Sequence, residues 1–200
     1  MHLENALYAG AEAGLSKRTC LALARVAARQ AGPARHAMPV GLIGPREATA
    51  EQLGAARILG YALARSGMPL LCGGKGGVME AAARGCHEAG GIVIGLLPED
   101  DATAANAFLT VALPTGLGIT RNALIARASL CLIAVGGGLG TLSEVALGLQ
   151  WGKRVFTMLD APAVNGAERF DDIDALATSV AEWLASEALM TSSRMHSSVL

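Results

Sequence analysis

Aromatic residues make up only 4% of this 200-residue chain. Its core must therefore be built from Leu, Ile, Val, Ala and Met. Cysteine is scarce, and Cys20, Cys72, Cys86 and Cys131 form no C-x-x-C pair. With the four histidines scattered as well, no zinc or other metal site is expected. Cys72 and Cys131 end apolar runs and read as small core residues, and the whole pattern suits a reduced, cytoplasmic protein. Net charge is only -1, which argues against a general binder of nucleic acid or membrane surface. No apolar run is long enough for a membrane span. No G-x-G-x-x-G follows the first apolar strand, where the chain reads Gly44-Pro-Arg-Glu-Ala48, and no G-x-x-x-x-G-K-[ST] occurs. Standard nicotinamide oxidoreductases and P-loop NTPases are both disfavoured.

What the chain has in quantity is glycine and alternation. Apolar strand-like runs stand at Val40–Ile43, Met68–Cys72, Gly91–Leu97, Phe108–Leu113, Leu130–Val135 and Lys153–Leu159. Helical patterns separate them. Thr49 to Ser66 carries a stripe of Ala55, Ile58, Leu59, Ala62 and Leu63, with Thr49-x-x-Gln52 as its capping box. Further helices are read from Val78, from Gly118 to Ala128, from Leu139 to Trp151 and from Asp171 to Leu189. The third of these is expected to bury Leu142, Val145, Ala146 and Leu149. Unbroken apolar strands separated by helices specify a mostly parallel sheet covered on both faces. The fold class is α/β: a three-layer, doubly wound, Rossmann-like domain over residues 39–189. Residues 1–38 are an Ala-rich arm with no acid between Glu12 and Glu47, read as an accessory helix packed on the domain rather than a transit peptide. The Ser-rich stretch 190–200 is expected to fray.

In such sheets ligands bind beyond the carboxyl ends of the strands. The loops concerned are Gly44–Ala48, Gly73–Gly77, Pro114–Asn122 and Gly136–Thr141. Two are glycine-rich: Gly73-Gly74-Lys75-Gly76-Gly77 and Gly136-Gly137-Gly138-Leu139-Gly140-Thr141. Glycine lets the backbone turn tightly and bring its N–H groups close to an anion, and each loop opens a helix whose positive end faces the same side. A nucleotide or sugar phosphate between the loops is the expected guest. Lys75 is a second candidate cation, or simply a solvated loop residue. Arg121, beside Asn122, suits bidentate grip of phosphate. Glu144 has two readings that can coexist: a carboxylate facing the ligand, or the third-position Glu of a capping box begun by Thr141.

These motifs resemble those of the LOG (Lonely Guy) family, long labelled lysine decarboxylases, whose hallmark is P-G-G-x-G-T-x-x-E with an Arg-Lys pair upstream. Here Gly136-Gly-Gly-Leu-Gly-Thr-Leu-Ser-Glu144 and Arg121-Asn122 occupy those places. The likeness runs from about Pro39 to Leu159; Asn122 and Gly136 depart from the hallmark, and Ser143 stands where the family commonly has Glu. It implies a Rossmann-like homodimer or higher homo-oligomer. It also implies hydrolysis of the N-glycosidic bond of a nucleoside 5′-monophosphate, with Arg121 and Glu144 as catalytic residues and no required cofactor. The departures look more like a side branch that includes proteins similar to molybdenum cofactor carriers. The alternative is therefore a non-catalytic carrier or sensor of a phosphorylated cofactor such as molybdenum cofactor. On either reading the partner is a small phosphorylated ligand, not nucleic acid and not a membrane.

Overall fold

The computed structural model describes residues 14–30 and 38–186. The expected frayed end at 190–200 lies outside them, as does most of the arm beyond one helix. Seven parallel strands form a single sheet: β1 (Val40–Ile43), β2 (Leu70–Cys72), β3 (Val93–Leu97), β4 (Val111–Pro114), β5 (Leu132–Val135), β6 (Val155–Met158) and β7 (Glu168–Arg169). Their order is β4-β3-β2-β1-β5-β6-β7. Strands β1 to β4 progress toward one edge and β5 to β7 toward the other. The direction of winding therefore reverses between β1 and β5, which pair through Gly41–Leu132, Leu42–Ile133 and Ile43–Ala134. A crevice opens at such a reversal because the loops leaving the two strands diverge to opposite faces. The two-residue β7 was not among the expected strands. It is charged and too short to show a period, and it pairs with β6 only through Phe156–Glu168 and Thr157–Arg169.

Helices α1 (Lys17–Gln30), α2 (Ala50–Arg65), α3 (Val78–Glu88), α4 (Asn122–Ala128), α5 (Leu139–Gln150) and α6 (Ile173–Ser186) complete the layers. On one face α2, α3 and α6 share a core with Val40, Leu42, Leu70, Ile133 and Phe156. On the other, α4 and α5 pack on Ile43, Leu71, Leu132, Ala134 and Val155. Thr49 caps α2 as its sequence indicates: its Oγ1 accepts from Gln52 N at 3.2 Å, and Gln52 Oε1 accepts from Thr49 N at 3.0 Å. Ala55, Leu59, Ala62 and Leu63 are buried and Ile58 is half-buried. Helices α2 and α3 touch backbone to backbone. A Cβ on Gly60 would strike the Ala82 carbonyl, and one on Gly85 would strike that of Arg57. The arm helix α1 lies against α6 and buries Cys20, Ala22, Leu23 and Val26. Its Thr19 Oγ1 donates to Asp174 Oδ1 at 2.7 Å and contacts Thr178 Oγ1 at 2.5 Å. All four thiols are buried. Burial pushes Cys72 up to about 11 and Cys131 up to about 12, so both behave as small core groups rather than nucleophiles.

One expected element begins differently, and one begins as read but without the expected cap. The stretch read as a helix from Gly118 starts as a 3₁₀ turn, Gly118–Arg121, and becomes α-helical only at Asn122. Helix α5 starts at Leu139 with Gly138 as N-cap. Thr141 and Glu144 thus lie inside the helix, so the capping-box reading of this pair is corrected. The buried face of α5 consists of Thr141, Glu144, Val145 and Gly148. Leu142 and Ala146, expected inside, are exposed, and Leu149 is half-buried. Gly148 permits the close approach, because its missing Cβ would meet Leu132 and Val155.

Candidate functional site

A cleft of about 380 Å³ opens at the winding reversal, within the size range of small-ligand sites. The loop after β1 contributes Gly44, Pro45 and Arg46. Gly73 comes from the end of β2, with Met79 from α3. Pro98, Gly118 and Ile119 form the β3–β4 side. Arg121 and Asn122 end the 3₁₀ turn, and Gly138, Gly140, Thr141 and Glu144 come from the start of α5. Of the residues singled out in the sequence, the cleft thus gathers Gly44, Gly73, Arg121, Asn122, Gly138, Gly140, Thr141 and Glu144. Gly74, Lys75, Gly76, Gly77, Gly136 and Gly137 are not in its lining.

The residues outside the lining shape it. Gly77 takes φ 71° and packs so closely on the Pro45–Arg46 carbonyls that a Cβ would collide with them. Lys75 is buried and its Nζ is paired with Glu99 Oε1, which holds the Glu99 carboxyl below its usual range. The Lys75 carbonyl accepts from Asn106 Nδ2 at 3.1 Å. Lys75 therefore clamps the loop after β3 to the glycine loop. Gly136 takes φ 62°, and a Cβ there would meet the Gln52 side chain. The pyrrolidine ring cannot adopt a positive φ, so this backbone does not admit the hallmark proline. Its N–H donates to Met158 O at 2.9 Å, joining the loop to β6.

Arg121 is buried at the back of the cleft. Its guanidinium rests where Gly73 lacks a side chain, since a Cβ there would overlap it. Nη1 donates to Asn122 Oδ1 at 2.8 Å and lies 3.5 Å from Glu144 Oε1, and Nη2 donates to Gly73 O at 3.4 Å. Nε is buried with no hydrogen-bond partner among the described residues. Burial lowers the Arg121 pKa, partly opposed by Glu144. An arginine nevertheless stays charged throughout the physiological range. Burial drives Glu144 the other way, up to about 7 against the pull of Arg121. A poorly solvated carboxyl resists ionisation, and one contact at 3.5 Å with a guanidinium compensates only in part.

Asn122 is the hub. Besides accepting from Arg121, its Nδ2 donates to Gly140 O at 3.3 Å and Ser143 Oγ at 3.0 Å. It thereby ties the α4 start to the first turn of α5. No side chain caps α5. The amides of its first turn have no intrahelical acceptor, and the helix dipole adds positive potential there. Met79 and Pro98 were missed in the sequence, since neither stands in a motif or in a loop singled out there. Arg46 and Ile119 lie in the loops Gly44–Ala48 and Pro114–Asn122 expected to meet a ligand, though neither side chain was named.

The model of the SLOG cluster4 family matches residues 37–189. The chain belongs to the SLOG cluster4 family. An uncharacterized protein of Archaeoglobus fulgidus is 39% identical over 134 residues, covering 67% of this chain and 88% of its own. Among solved structures, the molybdenum cofactor binding protein of Rippkaea orientalis superposes with a TM-score of 0.68 at 33% identity, over 74% of this chain and 99% of its own. The molybdenum cofactor carrier protein of Chlamydomonas reinhardtii gives 0.67 at 33%, over 74% and 98%. This SLOG member thus shares its Rossmann-like sheet with proteins named for molybdenum cofactor. The arm with α1 precedes the matched region.

Proposed function

We propose that this SLOG protein binds a small phosphorylated organic ligand in the cleft and acts as its carrier or sensor. Molybdenum cofactor, the alternative raised by the sequence, is the leading candidate. The observation that carries this reading is the placement of Arg121. A buried guanidinium with an unpartnered Nε is held by Asn122 and Gly73 beside the uncapped start of α5. A pre-positioned cation and free helix amides suit a phosphate group. The similarity to cofactor-binding and carrier proteins supports the same chemistry. The lining fits the phosphate end of such a cofactor but contains no cysteine, so a bound metal atom would receive no protein thiolate there. Asn122, in the hallmark's lysine place, contributes hydrogen bonds and no charge.

Binding is tested by loading the purified protein with molybdenum cofactor and following its decay. Slower decay than in buffer, with a raised Tm, is expected. Unchanged decay and no thermal response overturn the carrier reading.

Hydrolysis of a nucleoside 5′-monophosphate is the second reading. It is favoured by Glu144, the one carboxylate of the lining among the described residues, whose carboxyl is pushed up to about 7. A group of that kind can exchange protons near neutral pH. Incubation with AMP and cytokinin monophosphates decides it: release of free base supports hydrolysis, and intact nucleotide after prolonged exposure rejects it.

Homo-oligomerisation belongs to the same proposal. The exposed side of α5 carries Leu139, Leu142 and Ala146 with no charged residue, and Leu117, Ile119 and Leu124 are exposed on the preceding segment. An uncharged apolar stripe suits pairing with its own copy.

A further inference from the structure

The charged lining residues of the cleft are Arg46, Arg121 and Glu144, two cations and one carboxylate. Arg46 is exposed near the mouth, whereas Arg121 and Glu144 are both buried and lie 3.5 Å apart. A phosphate that reaches Arg121 must therefore enter beside Glu144. Two anions sharing one guanidinium in a poorly solvated place repel strongly. Building on the proposed phosphate binding, we infer that ligand entry is a partner exchange: the phosphoryl group takes Arg121, and Glu144 takes up a proton from solvent. The balance is one phosphate dianion and one proton bound together, with no bond broken in the ligand.

Among the described residues, the surroundings leave no other group for this role. Glu144 faces Arg121 from the 3₁₀ turn and the neutral Asn122 at the start of α4, with Thr141 and Ser143 on its own helix. From β2 it meets Cys72, whose thiol is pushed up to about 11 and stays neutral. The neighbouring strands β5 and β6, Leu132–Val135 and Val155–Met158, carry no titratable side chain. Beyond Arg121 stand Arg46 and Glu99, and Glu99 is already paired with Lys75. Arg127, at the far end of α4, stacks over Trp151 at 5.4 Å. Burial raises the Glu144 carboxyl to about 7, so protonation is accessible near neutral pH. The exchange favours a phosphate monoester, dianionic above pH ~6, provided Glu144 is protonated. Binding is then strongest between about pH 6 and 7 and weakens at higher pH by up to tenfold per unit.

Titration calorimetry of the full chain with AMP, in buffers of different ionisation enthalpy, counts the protons. At pH 8 the wild type is expected to take up close to one proton per AMP. Glu144→Gln is expected to take up none and to hold its affinity level from pH 7 to 9. Zero uptake by the wild type, or an identical pH profile in Glu144→Gln, overturns the exchange while phosphate binding stands. The wild-type proton count decides even if the variant folds poorly. Absence of AMP and inorganic phosphate binding at every pH overturns both the exchange and the phosphate-site reading beneath it.

Discussion

Asn122 Nδ2 lies 3.0 Å from Ser143 Oγ, and the same amide group reaches Gly140 O. Asn122 departs from the hallmark that the sequence resembles, where a lysine stands, and Ser143 stands where the family commonly has Glu. In space the two departures are neighbours, so they form one neutral exchange across the α4–α5 junction. The consequence is a first turn of α5 fixed by hydrogen bonds from a neutral side chain.

The Asn122–Ser143 link predicts non-additive substitutions. Asn122→Ala removes three hydrogen bonds and leaves buried groups unsatisfied, so it should lower stability by about 1–3 kcal/mol. In urea melts, Asn122→Lys with Ser143→Glu should be less destabilised than the sum of the single changes, by about 0.5–3 kcal/mol. Simple additivity would mean that the two positions do not act together.

Arg121 should dominate phosphate affinity. Arg121→Ala leaves Glu144 without its countercharge and removes a charge-assisted donor, which is worth about 1.5–3 kcal/mol. Affinity for a phosphate ligand should drop roughly 10- to 100-fold by calorimetry. Arg121→Lys should recover little, because an ammonium cannot reproduce the planar fork.

Glu144 makes stability fall with rising pH. Its carboxyl titrates near 4.5 in an unfolded chain and at about 7 when folded. Between those values the native state holds more protons than the unfolded one, so stability decreases as pH rises through this window and levels off above it. Glu144→Gln should therefore raise stability by about 1–3 kcal/mol at pH 8 relative to its effect at pH 4. Equal effects at both pH values, in parallel urea melts, would show that the carboxyl ionises normally.

Leu142 tests the uncovered face of α5. Leu142→Asp places a charge on the exposed apolar stripe, away from the buried Thr141 and Glu144. Light scattering should show a smaller particle than the wild type, with an unchanged far-UV spectrum. A wild type already monomeric at tens of micromolar would remove this surface from consideration.

Gly136 should resist substitution. Its φ of 62° and its contact with Gln52 predict that Gly136→Ala costs about 1–3 kcal/mol. Gly136→Pro should cost more, since the N–H that meets Met158 O would also be lost. Thermal denaturation checks the order.

The layered α/β class, the Thr49 cap and the gathering of Arg121 with part of the second glycine loop at the strand ends were all legible in sequence. Each depends on local periodicity, turn chemistry or a short motif, which neighbours along the chain specify. The partners of the site side chains were not legible. Thr141-x-x-Glu144 has the local form of a capping box, yet both residues lie inside α5 and Glu144 turns inward to Arg121. Lys75 stands in a glycine loop like a phosphate ligand, yet Glu99, 24 residues away, takes its charge. Arg46 and Ile119 enter the cleft only because the sheet reverses direction between β1 and β5. Local spacing determined which elements form and where glycine must stand. Burial and long-range pairing, which depend on the assembled sheet, decided which charges remain available to a ligand.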